Sequence, residues 1–183
     1  MVFKVILIGP IRAGKSTVGK LLAEKLRLPQ RSLDLIFDSY LDEIGYDRAH
    51  AAELKKIGFY ELTQYWKAFE PEGVARIVAE PEAAVIDLGG GHSVYDDANL
   101  FARVKKTLEP FPNVILIMPS PDLEESIAVL NERTNGFVSN GYDFHDQFVK
   151  SRCNRILAKH TVYTKGKTPE ETCEEVAKLL TYT

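Results

Sequence analysis

Short apolar runs alternate with longer amphipathic ones along this chain. Residues 5–8 (Val-Ile-Leu-Ile) form a continuous, β-branched-rich run that ends at Gly9. That is the pattern of a parallel strand buried on both faces. Residues 84–88 repeat it before Gly89-Gly90-Gly91, and residues 114–118 repeat it between Pro112 and Pro119. A short fourth strand is predicted at 161–164 and a further one near Leu33. Residues 16–26 place Val18, Leu21, Leu22 and Leu26 on one helical stripe. Further helices are predicted at about 42–57, 61–79, 98–108, 122–132 and 144–157. The last, 169–180, carries Thr168 as N-cap, Pro169 at the first helical position and Glu171 to complete a capping box. Alternating strands and helices predict a three-layer α/β fold with a mostly parallel, five-stranded sheet covered by helices on both faces. Residues 1–183 read as one domain, with a helical acceptor-binding segment at 40–80 and a lid at 131–147.

Composition changes this picture little. A chain of 183 residues, 45% hydrophobic and 27% charged, can bury one real core and is not disordered. A net charge of −3 gives no general attraction to nucleic acid or anionic membrane, and no basic stripe with interleaved aromatics points to nucleic acid. Cys153 and Cys173 are too few for a disulfide framework and lack metal spacing, so both read as free thiols. The apolar run at 5–8 is far too short for a membrane span. The expectation is a cytoplasmic monomer or weak dimer.

The strongest chemical signal is Gly9-Pro10-Ile11-Arg12-Ala13-Gly14-Lys15-Ser16, a GxxxxGK[ST] phosphate loop between a buried strand and a helix. Its glycines let backbone N–H groups converge on phosphate oxygens, and the helix N-terminus adds partial positive charge. Gly9, Ile11, Arg12, Ala13, Gly14, Lys15, Ser16 and Thr17 are thus candidate ATP-binding residues. Lys15 is placed to reach the β- and γ-phosphates and Ser16 to offer its hydroxyl to Mg²⁺. Asp87, ending the run Val85-Ile86-Asp87, is the second candidate Mg²⁺ ligand. ATP is the expected nucleotide, since no guanine-selective signature is evident.

With these residues in view the chain resembles the shikimate kinases, small single-domain phosphate-loop kinases. The phosphate loop with its following Ser16-Thr17-Val18-Gly19-Lys20-Leu21-Leu22-Ala23 is similar to that family's first helix. Leu33-Asp34 to Asp38 lies where the family carries an Asp-x-Asp motif, and Leu88-Gly89-Gly90-Gly91 where it has a triple-glycine substrate loop. Val162-Tyr163-Thr164 through Pro169-Glu170-Glu171 resembles its last strand and helix. The resemblance implies a kinase acting on a hydroxyl of shikimate or a related polyol acid. It also implies catalytic roles for Lys15, Asp34 and a lid arginine, Arg133, and substrate contacts from Asp34, Gly89, Gly90, Gly91 and Arg152. Three departures stand beside it. One carboxylate of the Asp-x-Asp pair is missing or moved, so Asp34 and Asp38 are both candidates. Tyr60-Glu61-Leu62-Thr63-Gln64-Tyr65-Trp66-Lys67 has no arginine where the family's Phe-Arg pair grips the substrate carboxylate. The lid motif is replaced by Asn131-Glu132-Arg133-Thr134-Asn135-Gly136 and Asn140-Gly141, which read as turns.

Asp34 is expected to orient or deprotonate the acceptor hydroxyl. His92 is a candidate acceptor contact, Lys67 a candidate replacement cation, and Arg155 shares a helical face with Arg152. The aromatics Tyr60, Tyr65, Trp66 and Phe69 have helical spacing; Tyr65 or Trp66 is the candidate pocket lining, against a purely core role. Two other functions stay open. A nucleotide kinase-like enzyme would need an arginine-rich monophosphate pocket, yet residues 40–80 hold only Arg48 and Arg76. A nucleotide-binding ATPase or regulator would retain the phosphate loop without an acceptor site.

Overall fold

The computed structural model describes residues 2–182, so positions 1 and 183 of the expected domain lie outside the described residues. In chain order the elements are β1 (Lys4–Ile8), α1 (Lys15–Leu26), β2 (Gln30–Ser32), α2 (Leu33–Leu41), α3 (Arg48–Ile57), α4 (Phe59–Lys67), α5 (Glu70–Ala79), β3 (Ala84–Asp87) and α6 (Ala98–Leu108). They continue as β4 (Val114–Met118), α7 (Leu123–Thr134), β5 (Val138–Ser139), β6 (Tyr142–Asp143), α8 (Phe144–Lys150), α9 (Arg152–Leu157), β7 (His160–Tyr163) and α10 (Pro169–Leu179). Five strands form a parallel sheet in the order β2-β3-β1-β4-β7. Every residue of β1, β3 and β4 is buried, including Lys4 and Asp87 at the ends of otherwise apolar runs, as befits a sheet covered on both faces. Helices α1 and α10 pack together on one face, while α5, α6 and α9 line up on the other. This is a single-domain α/β phosphate-loop fold. No helix among the described residues is long and apolar enough to cross a membrane.

Four predicted elements are shifted, shortened or broken where local chemistry intervenes. The expected strand near Leu33 is β2, three residues earlier in its start, and Leu33 itself opens α2. The expected helix 42–57 is shorter: α2 ends at Leu41, residues 42–47 turn, and α3 begins at Arg48. Gly45 sits in the left-handed region (φ 82), and Asp47 caps α3 by accepting from Ala49 N at 2.9 Å and His50 N at 3.0 Å. The expected helix 61–79 is α4 and α5, because Pro71 in the first turn of α5 has no N–H to continue a helix through it. The expected helix 144–157 breaks at Ser151, whose hydroxyl caps α9 by accepting from Cys153 N at 3.2 Å. Within the segment read as a lid, Asn140-Gly141 (φ 49 and 77) joins β5 to β6 as a two-residue hairpin turn.

The main core surrounds the sheet. A smaller cluster of Val94, Phe144 and Phe148 gathers Ile11, Tyr60, Phe137 and Tyr142 against it. This second cluster seats the β5–β6 hairpin on α4. The Ser139 hydroxyl accepts from Phe59 N at 3.1 Å and Tyr60 N at 3.2 Å, capping α4 from a distant part of the chain. Asn140 donates to Glu61 Oε1 at 2.8 Å beside it.

The predicted capping box is present in α10. Glu171 N donates to Thr168 Oγ1 at 3.1 Å and Thr168 N to Glu171 Oε2 at 2.8 Å. Thr168→Ala is expected to cost about 1 kcal/mol, read as a lower urea midpoint with unchanged slope. An unchanged midpoint contradicts a stabilising cap.

Candidate active site

The site forms at the carboxyl edge of the sheet, where open α/β folds bind ligands. Pairing aligns Asp87 with Leu7 of β1 on one side and with Ser32 of β2 on the other. The three loops that follow these strands therefore leave side by side: the phosphate loop, the triple-glycine loop and the start of α2.

The phosphate loop needs glycine at its first position. Gly9 has φ 132, and a Cβ there would lie 2.2 Å from the Ile117 carbonyl oxygen. Gly14, also left-handed, begins α1. Ile11, Arg12, Ala13, Gly14, Lys15, Ser16 and Thr17 line a cavity of about 690 Å³; Gly9 shapes the loop without lining it. Lys15 is 6% exposed, and its ammonium donates to the Pro10 carbonyl at 2.9 Å. Burial holds its pKa below the ordinary lysine value, opposed by the carboxylates of Asp87 and Asp34. Burial raises the carboxyl pKa of Asp87, opposed by Ser16 and Lys15. Ser16 and Asp87 line this same cavity. A hydroxyl and a carboxylate beside a phosphate loop are the hard oxygen donors that suit Mg²⁺, which keeps waters and phosphate oxygens as its other ligands. Arg133 lines the cavity too and donates to the Arg12 carbonyl at 2.9 Å.

A second cavity of about 490 Å³ lies next to the first, and Ile11, Asp34 and Gly90 line both. Asp34, in the first turn of α2, therefore stands on the wall between them. Asp38 lines only the second cavity and is held by Arg48 at 2.9 Å. Gly90, Gly91 and His92 complete the floor, while Gly89 is buried behind Asp34.

Several expected contacts are elsewhere. Arg152 is exposed at the start of α9 and lines neither cavity, because Ser151 ends α8 and turns the chain there. Arg155 also lines neither and donates to the Lys150 carbonyl. Lys67 lines the second cavity but donates to Glu70 Oε2 and the Gly91 carbonyl, both at 2.7 Å. Its ammonium thus holds the triple-glycine loop in place. Tyr65 is a packing residue, stacked among Tyr46, His50 and Phe69, with its hydroxyl accepting from Asp47 N. Trp66 does line the cavity.

Two sets of residues escaped the sequence reading. Phe37, Phe59, Phe137, Tyr142, Phe144 and Phe148 wall the second cavity. The aromatics on both sides of the Asn140-Gly141 turn were the available signal. Thr164 and Lys167, from the loop before α10, line the nucleotide cavity, and the Thr164 hydroxyl is buried without a protein partner.

No protein-family model matches the chain. Along nearly its whole length it is similar to curated shikimate kinases. That of Salinispora arenicola is 29% identical over 176 residues, covering 96% of each chain. That of Flavobacterium psychrophilum is 22% identical over 184 residues, covering 97% of this chain and 98% of the relative. Among solved structures, shikimate kinase from Acinetobacter baumannii in complex with shikimate superposes with a TM-score of 0.64 at 20% identity, covering 98% of this chain and 93% of that one. The chain is a shikimate kinase-like phosphate-loop kinase of small molecules.

Burying the Lys15 ammonium without a carboxylate in ion-pair contact costs stability, on the order of a few kcal/mol. Lys15→Met is therefore expected to keep or raise the thermal midpoint while cutting ATP turnover by about 10²-fold or more. Unaltered turnover, or a midpoint that falls with turnover intact, contradicts a phosphate-binding role.

Proposed function

We propose that this chain transfers the γ-phosphoryl group of Mg-ATP to a hydroxyl of a small metabolite, shikimate or a related polyol acid. The observation that carries this reading is the shared wall of Asp34, Ile11 and Gly90 between a phosphate-loop cavity and a second, acceptor-sized cavity. A hydrolase or a regulator has no need of a second cavity that shares a wall with the phosphate-loop cavity beside a carboxylate.

In this reading the acceptor oxygen forms a bond to Pγ as the bond from Pγ to the bridging oxygen breaks, and ADP leaves. The acceptor proton passes to an Asp34 carboxylate oxygen. Lys15, the loop N–H groups and Arg133 meet the charge on the transferring group, which is where phosphoryl-transfer catalysis is mostly spent. Ser16 and Asp87 would hold Mg²⁺, which neutralises phosphate charge when bound. Gly90 and Gly91 let the acceptor approach the backbone closely. Asp34, rather than the Arg48-paired Asp38, is the acceptor-facing carboxylate. We place the enzyme in the cytoplasm, as a monomer or weak dimer.

The acceptor carboxylate needs a cation. Arg48 is held by Asp38 and Asp42, and Lys67 by Glu70. Lys55 is the lining cation without an ion pair among the described residues, and it is the partner assigned to that carboxylate. A second reading rests on the aromatic wall. Phe37, Phe59, Phe137, Phe144 and Phe148 suit an acceptor whose hydroxyl is carried on a larger apolar ring body.

The test is Mg-ATP-dependent ADP release with and without shikimate, gluconate, other sugar acids, aminoalcohols, nucleoside monophosphates and ring-bearing alcohols. Stimulation by a polyol acid, lost in Lys55→Ala through a raised KM, supports the first reading. Stimulation by a ring-bearing alcohol alone moves the acceptor to the second. Slow ADP release unaffected by every acceptor overturns the transferase reading in favour of an ATPase or regulator.

A further inference from the structure

Gly89 is the narrowest point of the site. A Cβ built on it would lie 1.8 Å from Asp34 Oδ1 and 2.6 Å from His92 Nδ1. With glycine there, the carboxylate and the imidazole face each other across the backbone at 3.5 Å. His92 is 7% exposed, and its Nδ1 is buried with no hydrogen-bond partner. An orphaned buried ring nitrogen is costly, and it persists where the surroundings hold it for a purpose. Here they do hold it. Phe37 packs edge-on against the ring at 5.2 Å, and the Tyr95 hydroxyl donates to the His92 carbonyl at 3.0 Å.

The charged groups around the ring come from four elements. Asp34 faces it from α2, Glu70 from α5, Lys67 from α4 and Lys15 from α1. Burial keeps the imidazole neutral by lowering its pKa, and the two carboxylates oppose the shift. A neutral imidazole carries one N–H, which can sit on either nitrogen. With Asp34 as the nearest acceptor of Nδ1, the proton belongs on Nδ1.

We propose that His92 is a positioning residue: its Nδ1–H donates to Asp34 across Gly89 and fixes the carboxylate on the wall between the two cavities. The inference rests on the phosphotransferase reading for its purpose but not for its geometry. Asp34 is otherwise an exposed side chain, 63% accessible, on the first turn of a helix. A carboxylate that must receive a proton from a bound hydroxyl loses rate for every orientation that points away. The 3.5 Å separation is longer than a formed hydrogen bond, and catalytic hydrogen bonds of this kind tighten when the substrates are in place.

Two measurements test the pair. In long-range ¹H–¹⁵N spectra of the imidazoles, His92 is expected as the Nδ1–H tautomer in the free protein, and Asp34→Ala is expected to change its tautomer or shift its nitrogen resonances. His92 as the Nε2–H tautomer, or as a ring indifferent to Asp34→Ala, overturns the proposal whatever the enzyme phosphorylates. In turnover, His92→Leu is expected to lower kcat by about tenfold, the factor that one hydrogen bond to a charged group carries, with the KM for ATP unchanged. His92→Asn keeps an N–H near the Nδ1 position and is expected to recover most of kcat. Equal losses in both variants, or no loss in either, overturn it. Failure of every acceptor to stimulate the wild-type enzyme overturns the transferase reading and leaves the spectroscopic result to decide the pair.

Discussion

The register of three parallel strands is the constraint on which this site depends. Because β1, β3 and β2 pair so that Leu7, Asp87 and Ser32 lie abreast, the loops leaving them converge. One loop turns at Gly9 into the phosphate-binding bend, one carries Asp87 into three glycines, and one opens α2 with Asp34 two residues on. A slip of one residue in any pair would turn its side chains to the other face and separate these groups. The buried Val5–Ile8 and Ala84–Ile86 runs oppose such a slip with apolar surface, so core packing fixes the chemistry's geometry.

The site in turn spends stability. Lys15, Asp87 and His92 are each almost fully buried, and the pKa of each is moved toward its neutral form by that burial. None has a short ion pair to repay the desolvation. Such a cluster of costly groups beside two cavities is the usual signature of a working site. Lys67 and Glu70 are a different case: a close, partly buried pair at 2.7 Å that also holds Gly91, and so a support for the loop.

Much of this was legible in the residues because local signals agreed with global ones. The apolar runs gave the central strands nearly to the residue, as at 114–118, since a strand covered on both faces has no polar positions to blur its ends. The bend of the phosphate loop at Gly9 and the capping box at Thr168 were legible for the same reason: each is a short motif whose local geometry is complete in sequence. The departures arose where a distant partner decides. Ser139 caps α4 from 80 residues away, so neither the start of α4 nor the seating of the hairpin could be read locally. The exposure of Arg152 follows from the break at Ser151, which helical periodicity across 144–157 concealed. His92 was read as a candidate acceptor contact and not as a partner of Asp34, because that neighbour in space is 58 positions earlier. The aromatic wall is assembled from α2, α4, the hairpin and α8, and no window of sequence contains it.

The central claim is that Asp34 sits between the two bound substrates and serves the transfer rather than their binding. Trp66 is the chain's one tryptophan and lines the second cavity, so an acceptor bound there is expected to change its fluorescence. The decisive measurement is single-turnover transfer from γ-labelled ATP in Asp34→Asn, using the most stimulating acceptor and with occupancy followed through Trp66. The account predicts acceptor and nucleotide binding close to wild type and transfer slowed by about 10²-fold or more. Transfer at the full wild-type rate with both cavities occupied would contradict it.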